Sequence, residues 1–375
     1  MTLYDPAAFE PLTDEPWDES RVRAGVGAIV ADADAAFDPG GLWPAHEWDG
    51  WRAALPMKNL YVGAAGVIWA LDSLRRSGHP ETGIDLPAAA TRALELWRAE
   101  PDFMAGEVLP EPPESALLTG ESGILLTCHR LGLDVGADLE ARVRANVASE
   151  AEDLMWGTPG TLLAASLAGL DDAARESADA LAARRDADGL WTQRLWGEEF
   201  RSVSAPHGAT GNVRALLRVD DARNDALRRD TAALLADRAQ VEDGLANWGD
   251  GRVQWCVGAP GIVTTAWDYL EEELLLAAAE LVWRTGAHGD EKGASICHGT
   301  AGNGYALLKT FSRTQDERWL ERARRLAVHA LRQVERLRTE RGRGRYSLWT
   351  GDLGAALFAA SCLDADARYP VLDES

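Results

Sequence analysis

The sequence predicts an all-α fold, an (α/α)7 toroid in which seven outer and seven inner helices form a double-layered barrel. Three observations predict it. Two glycines separated by two residues recur seven times, and an apolar run follows each copy. Polar stretches with helical periodicity lie between the copies, and there is little of the apolar–polar alternation that would indicate strands. A motif that returns at such intervals is typical of repeated supersecondary units.

The glycine pairs exceed what chance predicts. Glycine is 36 of 375 residues, so random placement would give about 3 to 4 such pairs. The sequence has eight, and the eighth, Gly286/Gly289, leads into no apolar run. The seven that do are Gly63/Gly66, Gly120/Gly123, Gly157/Gly160, Gly208/Gly211, Gly258/Gly261, Gly299/Gly302 and Gly351/Gly354.

The polar stretches between the glycine pairs are predicted to form the outer helices. In residues 317–337, for example, apolar residues recur every three or four positions, which places them on one face of a helix. The other predicted outer helices are residues 19–37, 86–98, 138–151, 171–185, 223–239 and 271–285.

The apolar run after each glycine pair is predicted to form an inner helix. Small residues at its start let neighbouring backbones approach closely. Because the seventh pair is as rich in glycine as the others, the units are predicted to close into a ring, whereas an open array would end in atypical capping units. We therefore predict a single domain over residues 1–375, with the glycine loops gathered at one end of the central cavity.

Composition narrows the classes of protein. A net charge of −22 argues against nucleic-acid binding, which needs clustered Lys and Arg. No apolar run approaches the ~18 residues that cross a bilayer. The acidic residues 1–18 lack the basic and apolar pattern of a signal peptide, so the sequence predicts a cytoplasmic protein without a membrane partner. Four cysteines are too few for a disulfide scaffold.

Two of the glycine loops carry residues that bind metals. Cys256 lies two residues before Gly258 in the fifth unit, and Cys297 and His298 directly precede Gly299 in the sixth. Equivalent positions in successive units of a closed ring lie side by side. Two thiolates and an imidazole favour zinc, and three protein ligands leave a fourth position open, as in catalytic sites. These residues therefore predict a Zn2+ site.

Two further residues are candidates by their position relative to the glycines. His207 directly precedes Gly208, as His298 precedes its own glycine. Imidazole titrates near neutrality, so His207 is a candidate proton donor, with a solvated or helix-capping histidine as the alternative. Asp153 lies four residues before Gly157 and is either an ordinary acidic residue of the preceding helix or part of the site.

A cysteine–histidine pair elsewhere imitates the predicted ligands. Cys128 and His129 are adjacent, but they follow their glycine pair and lie inside a predicted helix. Cys128 and Cys362 are therefore predicted to be small buried residues.

These motifs resemble the lanthionine synthetase C-like family, and the resemblance covers essentially the whole chain. It rests on the glycine loops, with the sequences LYVGAAG at 60–66, HG at 207–208, QWCVGAPG at 254–261 and CHGTAGN at 297–303. Residues 367–370 are more similar to the eukaryotic-type, glutathione-binding members than to dedicated lantibiotic cyclases. No attached dehydratase or kinase domain is recognisable, so the stand-alone form is expected.

The resemblance implies roles for the candidate residues. It implies zinc held by Cys256, Cys297 and His298, an acid/base histidine at His207 and an assisting carboxylate at Asp153. These roles are expectations carried over from the family motifs, residue by residue.

The chain departs from the family pattern at one position and matches it briefly at another. Cyclases commonly have a tyrosine after the first zinc cysteine, where this chain has Val257. Lys292 lies where glutathione-binding members have a lysine that contacts the thiol peptide, with a solvated loop lysine as the alternative. The arginine-rich loop 341–345 could hold a carboxylate in the same way.

The expected function is therefore zinc-dependent addition of a thiol to dehydroalanine or dehydrobutyrine, which forms a lanthionine-type thioether. The expected partner is a dehydrated peptide or protein, and the thiol is either a peptide cysteine or glutathione. One alternative is a non-catalytic scaffold that binds zinc and glutathione, and another is a structural repeat protein. A toroid glycoside hydrolase would need paired carboxylates, which the glycine loops do not repeat.

Overall fold

The structure, a computed structural model, describes residues 2–47, 49, 56–102, 114–195 and 197–374. These residues contain fourteen α-helices. In chain order they are α1 (Glu19–Ala36), α2 (Ala64–Arg76), α3 (Leu86–Ala99), α4 (Glu121–Arg130), α5 (Gly136–Asn146), α6 (Thr158–Leu167), α7 (Asp171–Ala183), α8 (Ala209–Leu216), α9 (Asn224–Arg238), α10 (Ala259–Ala266), α11 (Glu272–Thr285), α12 (Thr300–Thr314), α13 (Glu317–Arg341) and α14 (Asp352–Asp364).

Six short strands pair as three antiparallel ribbons. The strands are β1 (Phe9–Glu10), β2 (Gln193–Leu195), β3 (Glu198–Phe200), β4 (Gln240–Glu242), β5 (Leu245–Asn247) and β6 (Ala287–His288). β2 pairs with β3 and β4 with β5, whereas β1 and β6 join the N-terminal segment to the sixth unit.

The even-numbered helices form the inner layer of a closed ring. Each packs against the next even-numbered helix, and α14 packs against α2 to close the circle. The odd-numbered helices lie outside, mostly between two inner helices, and α1 packs against α13 and α14. The predicted (α/α)7 toroid is therefore confirmed.

Burial separates the two layers. All eight residues of α10 are buried, as expected for a helix enclosed on every side. The outer helix α13 buries one stripe, which includes Leu320, Ala323, Leu326, Ala327 and Val334, and exposes charged residues elsewhere. The apolar core consequently lies between the layers and within the inner ring.

The second glycine of each pair is required by a close approach within its own loop. A Cβ added at Gly123 would lie 2.1 Å from the carbonyl oxygen of Leu117, six residues earlier. At each of the other six second glycines, an added Cβ would lie 1.8–2.3 Å from the carbonyl oxygen of the residue six positions earlier. Each loop thus folds back against the start of its inner helix, where a side chain has no room.

Backbone hydrogen bonds join neighbouring loops around the ring. We number loop positions backwards from the first glycine, so that position −2 is two residues before it. Position −2 N–H groups donate to position −2 carbonyls of the next unit, from Cys256 to Cys297 (3.3 Å), from Cys297 to Trp349 (2.9 Å), from Trp349 to Tyr61 (3.2 Å) and from Tyr61 to Leu118 (2.8 Å). These bonds place the loops at one end of the inner ring.

At one break in this chain of bonds, position −2 is a proline. Pro206 holds position −2 of the fourth unit and has no N–H to donate to the loop of the fifth. Its carbonyl accepts from the N–H of Leu154 at 2.9 Å. The interruption falls between the loop of His207 and the loop of Cys256.

The structure corrects the predicted limits of two outer helices. The prediction of 138–151 was wrong at its end, because α5 stops at Asn146, whose buried amide donates to Trp156 O and Thr161 Oγ1 at 3.3 Å. α13 continues past residue 337 to Arg341 and ends at Gly342, which has a φ of 70°. This left-handed conformation favours glycine and stops the helix.

No helix in the described part of the chain combines the length and the apolar character needed to span a membrane.

Candidate metal centre

The three predicted metal ligands converge at the loop end of the ring. The candidate ligand atoms of Cys256, Cys297 and His298 all lie within 4.8 Å of one another. The Sγ of Cys297 is 3.6 Å from Nε2 of His298. Both cysteines are buried and the histidine is half-buried. Among the residues that the structure describes, no other group of three His, Cys, Asp or Glu side chains brings its ligand atoms close enough together to hold a metal ion.

The ring of backbone bonds explains this convergence. Cys256 and Cys297 both hold position −2, and the N–H of Cys256 donates to the carbonyl of Cys297. His298 follows at position −1, where its N–H donates to Ser295 Oγ at 3.2 Å. Two successive units thus present their cysteines side by side, as the spacing relative to the glycines predicts.

Both sulfur atoms accept a hydrogen bond from a neighbouring side chain. The Tyr61 hydroxyl donates to Cys297 Sγ at 3.1 Å, and Gln254 Nε2 donates to Cys256 Sγ at 2.9 Å. Sequence reasoning assigned no role to these two residues. A signal for Tyr61 was available, because it holds position −2 of the first unit, the position that the two cysteines occupy in theirs.

The two thiols differ in acidity because they lie in contact. The hydrogen bond from Cys297 lowers the pKa of Cys256 well below its usual range; burial opposes this, and His298 adds to it. Burial and the neighbouring Cys256 raise the pKa of Cys297. Burial likewise raises the pKa of Tyr61, which keeps its hydroxyl protonated as a donor. These opposite shifts make Cys256 the more acidic of the two thiols.

His207 and Asp153 form the second predicted group. His207 Nδ1 is 2.9 Å from Asp153 Oδ2, which also accepts from Gln193 Nε2 at 2.6 Å. The second oxygen, Oδ1, accepts the N–H of Trp156 at 2.7 Å. Since Asp153 is fully buried as an acceptor, Nδ1 of His207 carries the proton and Nε2 is left for other chemistry. Sequence reasoning missed Gln193 and Trp156.

The same neighbours set the charge and orientation of the imidazole. Burial opposes the charged form of His207, but the hydrogen bond and charge of Asp153 outweigh it, so the pKa of His207 is raised above its ordinary 6.5. The negative charge of Cys256 acts in the same direction. The Trp156 ring stacks on His207 with centroids 5.2 Å apart.

Lys292 lies outside this cluster. Its Nζ is 3.1 Å from Glu291 Oε1, and its side chain is 41% exposed. It lines a neighbouring cavity with Arg338, Arg341 and Arg343, and Ser295 belongs to the same wall. The cavity therefore joins the predicted lysine and the arginine-rich loop beside the loop that carries the metal-ligand candidates.

Two other positions agree with the sequence interpretation. Val257 holds position −1 of the fifth unit and offers no hydroxyl, and its backbone pairs with Gln254. Cys128 is buried in α4 and its thiol donates to Ala90 O at 3.5 Å, apart from the candidate site. Burial raises the pKa of Cys128 to about 12, so it stays a neutral thiol.

Comparisons with known proteins give one family. The family model described as "Lanthionine synthetase C-like protein" matches residues 51–373. "Glutathione S-transferase LANCL1" of Danio rerio is 32% identical over 138 residues, which is 33% of this chain and 33% of that protein. The solved structure titled "Nisin cyclase" superimposes with a TM-score of 0.58 at 15% identity, over 91% of this chain and 94% of that one. At this identity the superposition shows a shared fold.

Proposed function

The chain belongs to the lanthionine synthetase C-like family, and we propose that it is an enzyme that adds a thiol to dehydroalanine or dehydrobutyrine and forms a lanthionine-type thioether. One observation carries the proposal. Two cysteines and a histidine converge within 4.8 Å, and the Asp153–His207 pair belongs to the next loop of the ring, since α8 after His207 packs against α10 after Cys256. A thiol-binding centre beside a proton donor is what this addition requires.

The residues of the cluster fit a zinc ion. Cys256, Cys297 and His298 would hold it, because soft thiolates and imidazole are its preferred ligands and three of them leave a position open. The hydrogen bonds from Tyr61 and Gln254 to the sulfurs are of the kind that orient metal ligands. Cysteine binds metals as the thiolate, and the lowered pKa of Cys256 favours that form.

The addition can be divided between the metal centre and His207. A bound zinc ion would hold the substrate sulfur as a thiolate near neutral pH. A C–S bond forms at the β-carbon of the dehydroamino acid, and the electron pair of its C=C bond moves toward the α-carbon as an enolate. His207 donates its proton to the α-carbon and is reprotonated from solvent, so the elements of one thiol are added in total.

Asp153 and Trp156 position this proton donor. Asp153 binds Nδ1 and supports the imidazolium form, so the proton on Nε2 is the one available to the enolate. The stacked Trp156 ring restricts rotation of the imidazole. His207 would therefore present its proton in a fixed direction.

Two kinds of thiol are compatible with the site. Glutathione is favoured by charge alone: Lys292, Arg341 and Arg343 lie together beside the loop of Cys297 and would attract its two carboxylates, whereas the cavity between them, about 20 Å³, is too small to enclose the tripeptide. It also agrees with the name of the Danio rerio relative, over the third of each chain that matches. A cysteine of the dehydrated peptide would instead close a ring.

The function is tested with purified, zinc-loaded protein and a dehydrobutyrine peptide, with and without glutathione. Addition of glutathione raises the peptide mass, whereas ring closure leaves the mass unchanged and protects a cysteine from alkylation. We expect Cys297→Ala and His298→Ala to lose bound zinc and turnover, and His207→Ala to keep zinc but lose turnover.

A matched control separates this result from general damage to the fold. Cys128→Ala removes another buried thiol and should leave zinc content and turnover unchanged. Zinc and glutathione binding by the unaltered protein, without any adduct, would favour the scaffold alternative. Normal zinc content in Cys297→Ala would refute the proposed centre.

A further inference from the structure

A segment near the C-terminus enters the interior of the inner ring. We call residues 366–374, which follow α14, the axial segment. Glu374 accepts a hydrogen bond from Trp69 Nε1 in α2 at 2.9 Å. Asp373 pairs with Lys309 Nζ in α12 at 2.7 Å. Together with the ion pairs to α4 and α8 described next, these contacts reach four inner helices around the ring, so the segment lies within the space that they surround.

Buried charges anchor the axial segment. The side chains of Asp373 and Lys309 are only 5% and 4% exposed. Asp373 also pairs with Arg214 of α8, and Glu374 with Arg130 of α4. Breaking a buried pair leaves an uncompensated charge and is strongly unfavourable, so these contacts hold the segment in one position.

Tyr369, in the same segment, reaches the underside of the loops that carry the two cysteines. Its ring is fully buried and stacks on Trp255 with centroids 5.4 Å apart and planes at 19°. Its hydroxyl donates to the carbonyl oxygen of Ile296 at 2.7 Å. Trp255 directly precedes Cys256, and Ile296 directly precedes Cys297.

The hydrogen bond to Ile296 acts on a peptide unit that belongs partly to Cys297. The carbonyl of Ile296 and the N–H of Cys297 lie in the same planar group. Tyr369 holds the oxygen of this group, and the carbonyl of Trp349 holds its N–H at 2.9 Å. Because its oxygen and its N–H are both hydrogen-bonded, this peptide group cannot rotate. Its orientation in turn sets the direction of the Cys297 side chain.

We propose that Tyr369 is a positioning residue for the metal centre: from beneath the loops it fixes the backbone before Cys256 and Cys297 so that both sulfur atoms stay at ligand distance. The proposal rests on the proposed function, since it concerns the same metal centre. It adds a role for the axial segment, which contributes none of the three candidate ligands.

The substitution Tyr369→Phe tests this role, because it keeps the stacked ring and removes only the hydroxyl. We expect zinc binding, measured by competition with a chelator, to weaken about tenfold, as for loss of an outer-shell partner. The visible absorption bands of the Co2+-substituted protein should shift, because they report ligand geometry. In turnover, kcat should fall while KM stays near its original value.

The matched control is Tyr305→Phe. Tyr305 is another fully buried tyrosine that packs against Tyr369, but its hydroxyl bonds Ser361 at 3.2 Å instead of a metal-ligand loop. It should keep the original zinc affinity and cobalt spectrum. Asp373→Asn is a second test, because it weakens the anchor of the axial segment and should change both readouts in the same direction.

Wild-type zinc affinity and an unchanged cobalt spectrum in Tyr369→Phe would overturn the proposal, whatever happens to thermal stability. If Tyr369→Phe cannot be purified, the same two readouts on Asp373→Asn decide it. The proposed function fails separately: metal binding that depends on Tyr369, together with no adduct from the unaltered protein, would keep the positioning role and reject the thiol addition.

Discussion

At the residue scale, the chemistry proposed here depends on how Asp153 sets the protonation of His207. Asp153 has no exposed surface, and its three hydrogen bonds leave it no competing orientation. A buried carboxylate against one ring nitrogen both selects the tautomer and favours the charged imidazole. His207 therefore keeps its proton at pH values above the ordinary pKa of histidine.

This arrangement predicts a specific pH dependence. A step that needs protonated His207 is fast below its raised pKa and slows as the pH rises through it. Asp153→Asn removes the negative charge, so the pKa of His207 falls and the descending limb of the kcat profile moves to lower pH. At neutral pH we expect kcat to fall about 100-fold, the range for loss of a general acid.

The adjacent carboxylate provides the control for this prediction. Glu152 is also buried, but it pairs with Arg184 and not with a histidine. Glu152→Gln should leave the descending limb where it is, even if it lowers stability. A profile for Asp153→Asn that falls at the same pH as that of the unaltered enzyme would show that His207 is not the acid.

At the scale of one helical unit, the glycine pair is a packing requirement of the loop. The second glycine lies against a carbonyl of its own loop and against the neighbouring unit, as Gly123 lies against Leu117 and Leu60. Because both contacts are backbone or Cβ atoms, a methyl group can be accommodated only if the loop moves. This explains why the motif returns in units that carry no candidate site residue.

Gly123→Ala should therefore destabilise the protein by about 1–3 kcal/mol through overpacking. The measurement is the free energy of unfolding in denaturant. Gly136, the first residue of α5, has open space where its Cβ would be, so Gly136→Ala should be neutral or slightly stabilising. Equal effects of the two substitutions would contradict a packing role for the glycine pair.

Most elements could be predicted from the sequence, and the differences have local causes. Helical periodicity located α7 to within two residues, because its buried stripe is visible in the sequence. It placed the end of α5 five residues too late, because the contacts of Asn146 with the next loop are tertiary. The short strands escaped prediction, since two or three residues carry no detectable alternation.

At the scale of the whole molecule, the closed ring has no free end at which a unit could separate. The contact between α14 and α2 completes the inner layer, and the axial segment pairs with α4 and α8 on different sides of it. We therefore propose that residues 1–375 form a single domain. In this arrangement each unit depends on two neighbours for burial of its inner helix.

A single domain should unfold as one cooperative unit. With 15 tryptophans spread along the chain, fluorescence reports several units and far-UV circular dichroism reports all helices. For the metal-free protein we expect the two denaturant transitions to coincide. Separate midpoints would indicate that part of the ring unfolds independently and would argue against one domain.

The sequence by itself determined the repeat and singled out the candidate site residues. The glycine requirement arises between residues six positions apart, so it leaves a regular mark in the sequence. The loop positions counted from those glycines were enough to select Cys256, Cys297, His298 and His207. Local constraints of this kind are visible without knowledge of the fold.

Only the tertiary structure decided how those atoms are supported. Gln193 lies 40 residues from Asp153, whose oxygen it binds. Tyr369 reaches the loop of Cys297 from the interior of the ring. Such contacts form only when the chain folds into the closed ring. Because the contacting residues are not separated by a regular interval, the sequence alone does not reveal them.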